Sequence, residues 1–261
     1  MKISGDNMLQ KAEGIVIRSI DYGESNKIIT LLTREFGKIG VMARGAKKPK
    51  SRLTSISQLF VHGYFLFYKS TGLSTLQQGE IIESFREVRN DLFRASYASY
   101  VIELTDRLTE ERHPHPALFD LLQKTLHYID EGIDSEILTR IYEVKMFIVA
   151  GIQPELHQCA SCGQVEGEFS FSIKEAGFLC HRCYFKDPHL MRISPATIRL
   201  LRLFSTINLD KLGAISVKKE TKKELATVIS AYYDTYSGIQ LKSKRFLEQL
   251  ERMDVNQENE S

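Results

Sequence analysis

The sequence predicts a two-domain β + α protein: a five-stranded closed barrel in front, a helical domain behind it, and a four-cysteine ribbon inserted among the helices. Three observations carry this expectation. Short runs rich in β-branched residues alternate with turn material over residues 12–82. From residue 85 the apolar spacing changes to three and four. Two Cys-x2-Cys pairs then stand 17 residues apart. A chain of 261 residues exceeds the usual single domain. The expected division is therefore residues 1–82 and 83–261, with the ribbon at about 157–190.

The strands are read in order from Gly14–Arg18, Lys27–Leu32, Lys38–Ala43, Val61–Tyr68 and residues 74–82, separated by Asp21-Tyr22-Gly23, Glu35-Phe36-Gly37 and Ser70-Thr71-Gly72. Five short strands in about 70 residues suit a small closed barrel, which removes exposed sheet edges. Phe85, Val88, Leu92, Tyr97, Val101, Leu104 and Leu108 lie on one face of a single long helix. Further helices are expected at 115–130, 135–151, from Ser194-Pro195 through Phe204, and at 219–235 and 239–252, with a frayed acidic tail from Asp254.

Composition narrows the class. No apolar run approaches the ~20 residues of a membrane span, and Met1–Gly14 lacks the apolar centre of a secretory signal. The expected location is the cytoplasm. Residues 1–80 hold 12 Lys/Arg against 6 Asp/Glu, whereas the remainder holds 23 against 27. Affinity for a polyanion is thus expected at the front of the chain. No G-x-S-x-G, H-E-x-x-H or P-loop occurs, so no enzymatic activity is expected.

Cys159-x2-Cys162 and Cys180-x2-Cys183 form two knuckles, and the spacer Phe169-Ser-Phe171-Ser-Ile173 can return the chain as a hairpin to complete a tetrahedron. The expected cofactor is one structural Zn²⁺, since four thiolates leave no open position. Redox pairs are the alternative, and disulfides are disfavoured in a reducing compartment. His157, His181 and His189 are read as neighbours rather than ligands, and His113-Pro114-His115-Pro116 as an interhelical turn.

Arg44-Gly45-Ala46-Lys47-Lys48-Pro49-Lys50-Ser51-Arg52 places five basic residues in nine with no acid. Gly45 and Pro49 make it a loop. A single nucleic-acid strand needs such a positive track together with aromatic faces for its bases. Tyr22, Phe36, Tyr64 and Tyr68 are candidates for the faces, and either Tyr64/Tyr68 or Phe65/Phe67 fills the barrel.

Glu13-Gly14-Ile15-Val16-Ile17-Arg18, Asp21 to Ile28, Thr33 to Lys38 and Ala43 to Ser51 resemble the opening of the RecO recombination mediator family. Gly151-Ile152-Gln153-Pro154-Glu155 and the ribbon resemble the centre of its zinc-containing members, so the likeness spans most of residues 13–185. The resemblance implies an OB-fold barrel, a helical C-terminal domain and a zinc-finger insertion. It further implies binding of single- and double-stranded DNA, annealing of complementary strands, and work with RecR that helps RecA replace single-strand-binding protein. It supplies no catalytic residues. By position, Lys27, Arg34, Lys38, Arg44, Lys47, Lys48, Lys50 and Arg52 are assigned to DNA contact. The competing expectation is a zinc-ribbon transcription or RNA-binding factor.

Overall fold

The computed structural model describes residues 8–213 and 215–259, and of residues 251–259 the backbone. Half of the N-terminal segment read for a signal, residues 1–7, lies outside the described residues. Contacts divide the chain into two compact units, one running to Glu131 and including the stretch from Phe246, the other Gly132–Arg245.

The first unit is built on β1 (Leu9–Tyr22), β2 (Asn26–Thr33), β3 (Gly37–Ala43), β4 (His62–Tyr68) and β5 (Ser74–Glu83). They close in the order β1-β2-β3-β5-β4, with β1 pairing antiparallel to both β2 and β4. Strand β1 can serve two neighbours because its register with β2 shifts between Val16 and Arg18, a bulge that bends the strand. This is the expected OB-type barrel. Phe65 and Phe67 fill it, along with Val16, Ile29, Leu31 and Val41, while Tyr64 and Tyr68 face outward. Sequence periodicity left that choice open.

A short helix, α1 (Leu53–Ile56), lies between β3 and β4 and was not expected. Its Ile56 plugs the barrel, and two glycines make room for it. A Cβ on Gly79 would sit 2.4 Å from Ile56 Cγ1, and one on Gly63 would lie 3.1 Å from Ile56 Cδ1.

Three helices follow the barrel in this unit: α2 (Arg86–Asn90), α3 (Leu92–Leu108) and α4 (Pro116–Asp130). The single long helix expected from residue 85 is broken at Asp91. That residue is extended, and its carboxylate accepts from Arg94 N at 2.9 Å, so it caps α3 instead of continuing α2. The His-Pro-His-Pro segment is the interhelical turn expected of it. His115 Nδ1 accepts from Leu118 N at 3.1 Å, and Pro116 occupies the first turn of α4.

The second unit contains α5 (Ser135–Val149), the hairpin β6 (Phe169–Ser172) and β7 (Gly177–Cys180), α6 (Pro195–Thr206) and α7 (Lys219–Tyr236). Asp134 and Ser194 cap α5 and α6 through their side chains. Phe171 of the hairpin packs edge-on against Tyr232 of α7 at 5.7 Å, and Tyr232 against Phe147 of α5 at 5.1 Å. The ribbon is therefore seated on the helices by aromatic contacts. The last helix, α8 (Lys242–Asn259), continues past Asp254, where fraying was expected. No helix among the described residues is long and apolar enough to cross a membrane.

Candidate nucleic-acid interface and metal centre

The basic loop is folded onto the barrel rather than hanging from it. Gly45, with φ +69°, donates its N–H to Asn26 Oδ1 at 2.9 Å, and Lys47 N donates to Ser25 O at 2.9 Å. Turns from Lys48 N to Gly45 O and from Ser51 N to Lys48 O shape the middle, and Thr54 Oγ1 donates to Ala46 O at 2.6 Å. Ala46 is buried in the barrel core. With its backbone satisfied inward, the loop turns Arg44, Lys47, Lys48, Lys50 and Arg52 outward, and all five are exposed.

Between this loop and the β1–β2 turn lies an open bay of about 450 Å³, with Ser25 and Asn26 on one side and Arg44, Lys48 and Lys50 on the other. Tyr22, 53% exposed at the end of β1, is the strand partner of Asn26, which lines the bay. Asp21 pairs with one of the loop's cations and with Lys27 of β2. Lys47 Nζ bonds it at 2.8 Å and Lys27 Nζ lies 3.9 Å away. The Lys47 hydrogen bond, with the charges of both lysines, holds the Asp21 carboxyl below its ordinary range. The bay keeps a net positive charge.

Arg34 and Lys38 have other partners. Arg34 Nε meets Glu13 Oε2 at 2.9 Å, its Nη2 meets Asp120 Oδ1 at 2.6 Å, and its guanidinium lies over the Phe119 ring at 4.6 Å. Lys38 Nζ bonds both the carboxylate and the carbonyl of Asp106, and its side chain is only 12% exposed. These two cations tie α3 and α4 to the barrel. Burial raises the Glu13 carboxyl, but hydrogen bonds from His62 and Arg34 and the Arg34 charge outweigh it and hold it low.

OB barrels use two loops for polynucleotides, those joining β1 to β2 and β4 to β5. Here the second is fastened: Arg112 Nη2 donates to Ser70 O at 3.1 Å, to Gly72 O at 2.9 Å, and to Thr71 O. The first borders the basic bay. Of the aromatic candidates, Tyr22, Tyr64 and Tyr68 are exposed, whereas Phe36 packs edge-on against Phe67 at 6.0 Å. Lys11 Nζ lies 4.3 Å from the Tyr64 ring centre.

In the second unit the sulfurs of Cys159, Cys162, Cys180 and Cys183 all lie within 4.8 Å of one another. The Cys162 and Cys180 sulfurs are 3.7 Å apart. Four sulfurs ~2.3 Å from one tetrahedral ion would be separated by about 3.8 Å, so the cluster has the size of a metal-thiolate site. The first knuckle is set by Gly163, whose φ of +73° brings its N–H to Cys159 O at 2.9 Å. Burial pushes the Cys159 thiol up, yet N–H groups of Cys180, Cys162 and Ser161 bring it down to about 6. None of the three nearby histidines belongs to the cluster among the described residues. His157 instead meets Ser205 Oγ at 3.2 Å.

The combination is that of an OB-barrel protein carrying a helical unit and a four-cysteine ribbon. The chain belongs to the RecO family. The family's sequence model described as Recombination protein O N terminal matches residues 8–85, and the one described as Recombination protein O C terminal matches residues 89–245. The chain is 63% identical over 246 residues to the DNA repair protein RecO of Halalkalibacterium halodurans, covering 94% of this chain and 97% of that one. It is 56% identical to the DNA repair protein RecO of Bacillus subtilis, covering 94% and 96%. With that of Bacillus cytotoxicus the identity is 54%, covering 95% and 100%.

Proposed function

We propose that this protein is a non-enzymatic mediator of DNA repair and homologous recombination, working in the cytoplasm at the nucleoid. It binds single- and double-stranded DNA, anneals complementary strands and, with RecR, helps RecA replace single-strand-binding protein. The observation that carries the DNA reading is the basic bay beside the β1–β2 turn, the loop region that OB barrels use for polynucleotides. Membership of the RecO family supports the choice of these partners.

In this reading phosphates of one strand lie along Arg44, Lys47, Lys48, Lys50 and Arg52, releasing condensed counterions. Lys27 reinforces the same end of the barrel through the Asp21 carboxylate that it shares with Lys47. Tyr22 offers its ring to a base at the edge of the bay. A second strand approaches a field already positive, which lowers strand–strand repulsion and favours pairing. Arg34 and Lys38 contribute by holding the helices that brace the barrel.

The four cysteines would hold one Zn²⁺. A closed thiolate set supplies structural cross-linking only, joining the hairpin to the chain at residues 159–162. The test of the function is strand annealing by the purified protein across a salt titration, with and without single-strand-binding protein. Annealing that is absent at low salt would refute the mediator reading. Equal competition by RNA and DNA strands would favour an RNA-binding factor instead.

A further inference from the structure

The ribbon carries an exposed feature that its metal cluster does not explain. After β7 the chain forms a 3-10 helix, His181–Lys186, and Cys183 in its middle is buried in the thiolate cluster. Phe185 projects from this turn and is 81% exposed, the highest value for a large apolar side chain among the described residues. A phenylalanine in water forgoes its burial. Here it is held there on a turn anchored by a metal-ligand residue.

The charges around it are mostly positive. Three residues make one turn of a 3-10 helix, so Arg182 projects from the same side as Phe185. Lys186 follows directly. Lys174 Nζ donates to Lys186 O at 2.9 Å, bringing another cation to the turn. Arg192 lies over the Tyr184 ring at 5.9 Å. The acid within this stretch, Asp187, faces inward: it is buried and accepts from Ser172 Oγ at 2.6 Å and from His189 N at 2.8 Å. Glu175, 4.0 Å from Lys174, offsets one cation and leaves an excess.

We propose that this turn is a second contact for single-stranded DNA, in which Phe185 stacks on an unpaired base while Arg182, Lys186 and Lys174 meet the adjoining phosphates. An exposed ring among cations is what a single strand requires. An apolar protein partner would meet a costly rim of unpaired cations there. The inference rests on the DNA-binding reading and adds to it a site on the second unit. The ribbon then does more than staple the helices: it presents a ring that can hold one base unpaired.

The chain contains no tryptophan, so Phe185→Trp makes position 185 the sole indole in the protein. In the full-length, zinc-loaded variant, an oligothymidylate of about 30 nucleotides should quench the indole emission. Quenching should saturate together with binding followed by anisotropy of the labelled strand. Phe185→Leu, which keeps apolar bulk and removes the ring, should weaken binding about tenfold, within the range measured for one base–aromatic stack. Arg182→Ala with Lys186→Ala should lower the salt slope by about 1.4, at ~0.7 per contact. Saturated anisotropy with unchanged indole emission would overturn this site while leaving the basic bay intact. Absence of strand binding by the parent protein would overturn the DNA-binding reading, and this site with it. Unchanged strand affinity in Phe185→Leu, with lost association to purified RecR or single-strand-binding protein, would reassign the turn to a protein and also refute the proposal.

Discussion

Replacing Lys47, Lys48, Lys50 and Arg52 together by Ala separates the electrostatic role of the loop from its structural one. All four side chains are exposed, and the backbone bonds that hold the loop, Gly45 N to Asn26 and Lys47 N to Ser25, do not depend on them. Lys50 adopts φ +62°, a conformation equally strained for alanine, so the substitution adds little there. Folding should be preserved. If each cation met one phosphate of a single strand, the slope of log K against log salt would fall by about 2.8, at ~0.7 per contact. Lys47 is already paired with Asp21 at 2.8 Å and releases less, so the expected fall lies between about 2 and 3. Extrapolated to ~0.05 M salt, three lost contacts weaken binding by roughly several hundredfold, and near 1 M the two proteins should bind alike. Anisotropy of a labelled oligothymidylate at four or five salt concentrations measures this. An unchanged slope with the fold intact by circular dichroism would remove the loop from the interface.

Other outcomes follow from the same geometry. Arg34→Ala strips Glu13 and Asp120 of a shared cation and should lower stability by about 1–2 kcal/mol, discounted for its partial exposure, while moving the salt slope by less than ~0.7. A larger slope change would show that Arg34 meets DNA as well. Gly37→Ala combines a φ of +67° with a Cβ 2.3 Å from His113 O. It should cost at least ~2 kcal/mol in denaturant unfolding, a loss that a wild-type-like midpoint would contradict. Metal analysis should find one zinc per chain. Chelation should lower the melting temperature while sparing much of the DNA affinity, and abolished DNA binding with the fold preserved would contradict a purely structural ion. The hydrogen bond from His127 Nδ1 to Glu83 at 2.6 Å raises the His127 pKa above 6.5 despite its partial burial. Its contribution to stability is therefore complete below about 6.5 and is lost as pH rises through the raised value. Glu83→Gln should return the histidine toward ~6.5 by NMR titration, and an unmoved titration would exclude Glu83 as the cause.

The parts of this protein that sequence alone determined are those governed by neighbours along the chain. Alternation of β-branched residues placed all five barrel strands, Ser194 caps a helix where the Ser-Pro pair predicts one, and the 17-residue spacing brought the two cysteine pairs together. Tertiary structure decided what depends on distant partners. Arg34 and Arg44 look alike in a list of basic residues, but Arg34 meets Asp120, 86 positions away, and Lys38 meets Asp106, 68 positions away. A charge belongs to its residue, whereas its availability belongs to the field around it. The same holds for burial. Tyr64 and Phe65 differ in exposure because a closed barrel has one inner face, and the break at Asp91 wins over a continuous apolar stripe because its carboxylate satisfies a helix N–H. Phe185 occupies an apolar position by composition, and only the folded ribbon shows that nothing in its own unit covers it.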